Sequence, residues 1–283
     1  MTTPTRQRTD DDRAALLALI AAMGGDLTRQ WQRLTIAQDK LLRSLERLRP
    51  GRGATTKIRP LVLAFQQEVG EFDRLTRALA TRWAAQDLPV AYRDGALQAL
   101  RRAHTDITRF QWTADHQAAL TALTATFYTD LIGRITEAVR RAQAFARAAQ
   151  DATRDVTLGR AHAGIDSASL VRTHPLSTIV YRDSSRHPVK DWATSALTYQ
   201  GVVTANHGAI NTGRYDLDAS WFQCVDGPEC GFVSHPDTDH ADGTIRSAED
   251  AEAYPVAHHG CIRFWIPRPD LNGRTDLVSG DPA

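Results

Sequence analysis

The fold is decided by residues 27–48, which read LTRQWQRLTIAQDKLLRSLERL. Steps of three, four and seven residues separate its large apolar side chains, and such steps place them on one face of an α-helix. Heptad-like spacing favours helices that pack nearly antiparallel, as in a bundle. The glycine pair Gly24–Gly25 just before the stretch is predicted to break the first helix into two. The residues of the apolar face are Leu27, Trp31, Leu34, Leu41, Leu45 and Leu48.

Three more helical patterns follow along the chain. Apolar residues recur at helical spacing over residues 58–83, 90–104 and 120–146. The segments Pro50–Gly53 and Asp87–Pro89 separate these patterns, because proline and glycine favour turns over continued helix. The sequence therefore predicts long amphipathic helices in a bundle-like N-terminal part.

The regular helical spacing of apolar residues ends after Gln150. A helix is predicted from Pro188 to Thr212–Gly213, and strands, loops and turns are predicted from Ser220 onward. The expected fold class is mainly α with a small C-terminal α+β module. The predicted regions are an arginine-rich helical domain over residues 1–150, a linker or adapter over 151–187 and a C-terminal module over 188–283.

Composition excludes several classes of protein. Of the 283 residues, 42% are apolar and 24% are charged, which excludes a disordered tail and is enough for a sizeable core. No run of about 18 uncharged apolar residues occurs, so we expect no membrane-spanning helix. The polar start predicts synthesis in a cytoplasm without a secretory signal. Three cysteines are too few for a disulfide scaffold.

The net charge of +1 hides an asymmetry along the chain. Residues 1–163 hold 25 Lys/Arg and 17 Asp/Glu, a net charge of +8, whereas residues 164–283 hold 9 and 16, a net charge of −7. One interpretation is a set of solvated helix faces. The other is contact with an acidic partner or with nucleic acid, through phosphates and without sequence readout.

Cysteine and histidine residues gather near the C-terminus, where all three cysteines follow residue 220. Cysteine sulfur and histidine nitrogen are the preferred ligands of zinc, and a structural site needs four of them. Cys230 with His235, and His258 with Cys261, form two short-spaced pairs that would pin a loop at both ends. Cys224 is a competing ligand. The sequence thus suggests one structural Zn²⁺ and no other cofactor.

Two other interpretations of these residues stay open. In the first, Cys230 and Cys261 are buried small apolar side chains or approach each other as thiols, and the histidines are hydrogen-bonded in a small domain. In the second, the segment resembles the ββα-metal (HNH) nucleases. His240 or His258 would then be the general base and Asp239 a metal ligand.

Four short motif pieces occur in order within residues 188–271. They are Asp226-Gly-x2-Cys230-Gly-x3-His235, Asp239-x-Ala241-x-Gly243, Ala257-His258-x2-Cys261-x-Arg263 and Pro267-Arg268-Pro269-Asp270. In this order they resemble the C-terminal module of MuF-type phage head-morphogenesis proteins, the minor capsid proteins of tailed actinobacterial phages. Two positions depart from that pattern. His259 stands where a proline is usual, which loosens the turn that aims His258 and Cys261, and Asp242 stands where an asparagine is common.

The resemblance implies a structural, non-enzymatic role in a virion. Such proteins enter the head interior in a few copies near the portal and are linked to head assembly and to DNA packaging or ejection. The implied partners are the portal, the major capsid protein and packaged DNA. The alternatives are an HNH-like nuclease and a helical DNA-binding protein outside any virion. Around a zinc staple, the expected packing residues are Trp221, Trp265 and Pro267–Pro269.

Overall fold

Long α-helices make up most of the chain in the computed structural model, and small antiparallel sheets complete it, so the predicted fold class is confirmed. The structure describes residues 4–49, 53–158, 165–181, 183–226 and 241–283, with side chains from residue 13 onward. None of the described helices combines the length and the hydropathy that a bilayer-spanning segment requires. The helices are α1 (Pro4–Glu46), α2 (Ala54–Arg82), α3 (Leu88–Arg102), α4 (Ala114–Thr157), α5 (Ser167–Thr173), α6 (Val189–Asp216) and α7 (Ala248–Ala253), and the strands are β1 (Thr178–Val180), β2 (Arg186–Pro188), β3 (Trp221–Val225), β4 (Ile245–Ser247) and β5 (Phe264–Pro267).

The first helix is continuous, so the predicted break at Gly24–Gly25 is wrong. Met23 and Leu27 flank the glycine pair and are both buried, as are the apolar residues one turn further on each side. A mid-helix glycine costs about 1 kcal/mol relative to alanine. Burial of a single large apolar side chain contributes about 1.5–3 kcal/mol, which is enough to carry the helix through the pair.

The predicted separator at Asp87–Pro89 does not interrupt the helical backbone. A π-helical segment, Trp83–Asp87, connects α2 directly to α3. Pro89 lies in the first turn of α3, where its missing N–H group would have had no intrahelical partner. Trp83 is fully buried within the π-helical segment and donates a hydrogen bond of 2.9 Å to Gln200.

The chain forms two compact units, each assembled from separate stretches of sequence. The terminal unit comprises Met1–Met23, Arg82–Tyr128 and Thr194–Ala283, and the central unit comprises Gly24–Thr81 and Thr129–Ala193. The central unit has 21 Lys/Arg and 13 Asp/Glu, a net charge of +8, and the terminal unit has 13 and 20, a net charge of −7. The charge asymmetry of the sequence therefore becomes an asymmetry between compact units. The predicted regions 1–150, 151–187 and 188–283 stay a prediction.

Aromatic contacts between helices form the core of the central unit. Trp31 of α1 meets Phe72 of α2 edge-on, with ring centroids 4.7 Å apart, and Phe65 of α2 meets Phe145 of α4 at 5.2 Å. All four side chains are buried. Edge-to-face pairs of this kind add stability beyond the area that they bury.

A two-stranded hairpin, β1–β2, lies in the central unit within the segment predicted to be a linker. Arginines of α4 attach it to the helices. Arg141 donates from one guanidinium nitrogen to the carbonyl oxygens of Pro175 (3.1 Å) and Thr178 (3.2 Å). The Arg134 guanidinium lies 4.6 Å from the ring centroid of Tyr181. Residues 151–187 are thus packed by side-chain contacts over much of their described length.

The terminal unit contains a three-stranded antiparallel sheet with the order β4–β3–β5. Helix α6, which leads into it, runs through the predicted stop at Thr212–Gly213 and ends at Asp216. Gly213 is needed for a different reason, because a Cβ there would lie 2.5 Å from the ring of Phe222 on β3. The buried face of the sheet packs in one core cluster of Ile210, Ala219, Phe222, Cys224, Ala241, Ala248, Ala251 and Trp265.

Two glycines bring α3 and α6 into direct backbone contact within the terminal unit. A Cβ on Gly95 of α3 would lie 1.8 Å from the carbonyl oxygen of Ala205, and a Cβ on Gly208 of α6 would lie 2.0 Å from that of Tyr92. Any side chain at either position would force the helices apart. The crossing holds α6 in place, and α6 supports the residues described next.

Candidate functional site

Three described residues of the motif pieces, Asp226, Cys261 and Arg263, converge where β3 ends and β5 begins. Cys224 pairs with Trp265, and Val225 pairs with Phe264, in the antiparallel register of these two strands. Asp226 directly follows β3 and Arg263 directly precedes β5. The register therefore brings residues 37 positions apart in the sequence together.

Asp226 and Arg263 form a buried ion pair. Arg263 Nε donates to Asp226 Oδ1 at 2.7 Å and Nη2 donates to Oδ2 at 2.9 Å, a bidentate arrangement. The side chains are 0% and 1% exposed for Arg263 and Asp226, so water does not screen the two charges. Arg263 Nη1 also donates to the carbonyl of Tyr254 at 3.3 Å. Asp242 accepts a hydrogen bond of 2.9 Å from the backbone N–H of Asp226.

The thiol of Cys261 lies against this ion pair. Its Sγ is 3.7 Å from Asp226 Oδ1 and accepts a hydrogen bond of 3.4 Å from the backbone N–H of Arg263. The residue is 1% exposed. Cys261 therefore contributes a polar contact inside the core.

Helices α1 and α6 reach the same place through the backbone of Arg263. Its carbonyl oxygen accepts a hydrogen bond of 2.9 Å from Asn206 of α6 and a second one from Arg13 of α1. Arg13 also donates to Asn206 Oδ1 at 2.9 Å. Asn206 Nδ2 reaches the carbonyl of Pro255 at 2.6 Å as well. We call Asp226, Cys261, Arg263, Asn206 and Arg13 the buried polar centre.

Of the four predicted zinc ligands, Cys230 and His235 lie outside the described residues. His258 and Cys261 lie together in one turn, in which the N–H of Cys261 donates to the carbonyl of His258 at 3.1 Å. Cys224, the competing ligand, is buried in the core cluster next to Phe222. No group of three or more His, Cys, Asp or Glu in the described part of the chain could hold a metal ion. The structural zinc stays a prediction.

The nuclease alternative depends on residues of the same segment. Asp239 and His240 lie outside the described residues. His258, the other candidate base, has its Nδ1 atom 3.0 Å from the carbonyl oxygen of His259. The ring of His259 stacks on Tyr199, with centroids 4.4 Å apart and an interplanar angle of 27°. This stack holds the turn at residue 259, where the MuF-type pattern has a proline.

The predicted packing residues also lie in this part of the terminal unit. Trp265 is 2% exposed, and its Nε1 donates to the carbonyl of Pro255 at 3.2 Å. Trp221 is half-buried, and its carbonyl accepts a hydrogen bond of 2.8 Å from the backbone N–H of Arg268. Trp265 is thus a core residue beside the buried polar centre, and Trp221 lies on the adjacent strand.

A second polar cluster in the terminal unit has no counterpart in the sequence predictions. The Tyr92 hydroxyl lies 2.9 Å from His116 Nδ1 and accepts a hydrogen bond of 2.9 Å from Asn211. His116 Nε2 is 3.4 Å from Asp216 Oδ2. Burial raises the pKa of Tyr92 to about 12. The cluster connects α3, α4 and α6, and no sequence spacing signals it.

Comparisons of the chain with protein-family models, with curated proteins and with solved structures gave no match. The fold and the site define a mainly α protein with a small antiparallel sheet. Among the described residues beside that sheet, Asp226, Cys261 and Arg263 contact one another.

Proposed function

We propose that this chain is a structural minor capsid protein of the MuF head-morphogenesis type, incorporated in a few copies near the portal of a tailed phage. In this proposal the C-terminal module docks onto the portal or the major capsid protein, inside the head. The observation that carries the proposal is the buried polar centre, because residues of two separate motif pieces meet there.

The burial and hydrogen bonding of the buried polar centre support a structural role for the motif pieces that meet there. A catalytic group must come within hydrogen-bonding distance of its substrate. Asp226, Cys261 and Arg263 are instead almost fully buried, and their polar atoms are taken up by one another and by backbone groups. An interior ion pair with this many additional hydrogen bonds holds one specific arrangement of strands. A rigid docking module needs such an arrangement.

The charge distribution supports the position in the head. A central unit with a net charge of +8 is attracted to packaged DNA, whereas a terminal unit with a net charge of −7 is repelled by it and is suited to protein contacts. The DNA contact would run through phosphates, independently of sequence.

Co-sedimentation with assembled heads tests the proposal. The full chain is co-expressed with the portal and major capsid proteins of its phage, and heads are isolated on a density gradient. We expect the chain to migrate with the heads in a few copies. Asp226→Asn should lower incorporation, whereas the matched control Asp276→Asn, in an exposed ion pair with Arg274 outside the motif pieces, should not.

Two results would contradict the proposal. The first is wild-type protein that stays at the top of the gradient while heads form. The second is cleavage of plasmid DNA by the purified chain with Mg²⁺ or Mn²⁺ that His258→Ala abolishes, since that result favours the nuclease alternative.

A further inference from the structure

Most of the positive charge of the central unit comes from one short segment. Residues 40–59 contain seven Lys/Arg and a single acidic residue, Glu46, which is a net charge of +6 out of the +8 of the whole unit. This segment covers the end of α1 and the beginning of α2. Such a concentration of charge is a property of one end of the central unit and not of its helices in general.

Three cations of this segment, Arg47, Arg49 and Lys57, line a common cavity. It has a volume of about 430 Å³ and lies between the last turn of α1 and the first turns of α2. Arg47, Arg49 and Lys57 contribute to its wall together with Ser44, and none of the described residues that line it is acidic. We call Arg47, Arg49, Lys57 and the neighbouring Arg154 the basic end. Arg154 belongs to it because α4 meets α2 there, with 2.9 Å between the hydroxyl oxygens of Thr55 and Thr157.

Two carboxylates near the basic end have other partners. Glu46 accepts a hydrogen bond of 2.6 Å from the Ser167 hydroxyl, and Asp166 accepts one of 2.9 Å from the backbone N–H of Ser169. Within the described residues, none of the four cations of the basic end forms an ion pair.

Three other arginines of α1 and α2 have carboxylate partners. Arg29 pairs with Asp26, Arg33 pairs with Glu68 at 3.2 Å, and Arg74 pairs with Glu71 at 2.7 Å. Carboxylates therefore compensate these three cations, whereas none compensates the four cations of the basic end among the described residues. The basic end is therefore the part of the central unit that would attract an external polyanion.

We propose that the basic end binds the phosphate backbone of duplex DNA without reading its sequence. This inference deepens, and rests on, the DNA contact of the proposed function. Duplex DNA carries one negative charge per about 1.7 Å of helix axis, so one segment of it meets several cations at once. Arginine, which supplies three of the four cations, forms bidentate hydrogen bonds with phosphate oxygens.

The number of cations sets the expected salt dependence. The logarithm of the binding constant falls by about 0.9 per phosphate contact for each unit in the logarithm of salt concentration. For about four contacts, affinity should fall about 150-fold between about 50 and 200 mM salt. With two contacts removed, the fall over the same range should be about 12-fold.

The test measures duplex binding by the full chain with fluorescence anisotropy, using two unrelated sequences of about 30 base pairs, enough to cover the site several times. The variant Arg49→Gln/Lys57→Gln removes two charges from the basic end. The matched control Arg29→Gln/Arg74→Gln removes two charges from the same helices where they are ion-paired. We expect the first variant to show weaker binding and the shallower salt dependence for both duplexes, and the control to stay close to wild type.

Three results would overturn the inference: an equal loss in both variants, a strong preference for one duplex, or wild-type protein that binds polyglutamate more tightly than DNA. The last result, or salt-sensitive self-association in sedimentation velocity, would identify an acidic protein surface as the partner. The proposed function is judged separately. Wild-type protein that enters heads but binds no duplex refutes only this inference, whereas absence from heads refutes the proposed function.

Discussion

Replacing Asp226 by Asn removes one charge from the buried ion pair while keeping the size and shape of the side chain. Arg263 then keeps a full positive charge at 0% exposure without a counter-charge. Removing one partner of a buried pair costs about 3–5 kcal/mol in free energy of unfolding. At about 2–4 °C per kcal/mol, the melting temperature of the protein should fall by about 6–20 °C.

Calorimetry or circular dichroism of the purified full chain measures this change. Asp270→Asn is the matched control, because Arg268 and Asp270 form a bidentate pair of the same geometry, at 2.8 and 2.7 Å, on the surface. Loss of an exposed pair costs about 0–1 kcal/mol. The double variant Asp226→Leu/Arg263→Met removes both buried charges and should recover much of the lost stability.

The reasoning depends on the difference between the two single variants. If Asp226→Asn lowers the melting temperature no more than Asp270→Asn does, the ion pair is not buried in solution as described. A double variant that is less stable than Asp226→Asn would instead mean that Arg263 stabilises the module through its other hydrogen bonds and its packing.

Three further predictions test other parts of the structure. Gly95→Ala should destabilise the protein by more than about 2 kcal/mol, because the new Cβ would lie 1.8 Å from the carbonyl oxygen of Ala205. Gly133→Ala, with open space around it, should stabilise α4 by about 1 kcal/mol. Chemical denaturation measures both changes in the free energy of unfolding. Since the pKa of Tyr92 is raised from 10.0 to about 12, its contribution to the free energy of unfolding should be complete below pH 10 and decline as the pH rises towards 12. Tyr92→Phe should lack that decline in denaturation curves recorded across this range. Metal analysis of the purified chain should give about one equivalent of zinc, and Cys261→Ser should lower that content; unchanged content would refute zinc binding by this cysteine.

The helices were predictable because their apolar spacing is periodic over many turns. The ends of the helices were less predictable, because the sequence shows the local cost of a glycine but not the packing that offsets this cost. At Gly24–Gly25, burial of the flanking residues outweighs that cost. At Gly213, the ring of Phe222 explains a glycine that local reasoning assigns to a helix end.

The site was predictable only as a set of residue types. The motif pieces contain both Asp226 and Arg263, but a pairing between them depends on the register of β3 and β5, which spacing does not specify. For the same reason, the contribution of Arg13 was missed, since its partner Asn206 lies 193 residues away in the sequence. The division into compact units was likewise hidden, because each unit combines stretches that are distant along the chain.

That interleaving has a consequence for how the protein is made. The terminal unit combines residues 1–23 with residues 194–283, and Gly95 of α3 meets Ala205 of α6 only after Ala205 has left the ribosome. Nascent chains must therefore hold the small-residue face of α3 uncovered while residues 103–205 are translated, which is more than a third of the chain. Exposed apolar surface in that state favours aggregation. We therefore expect slow elongation, or a host with few chaperones, to lower the yield of folded protein even when the purified protein has a high melting temperature.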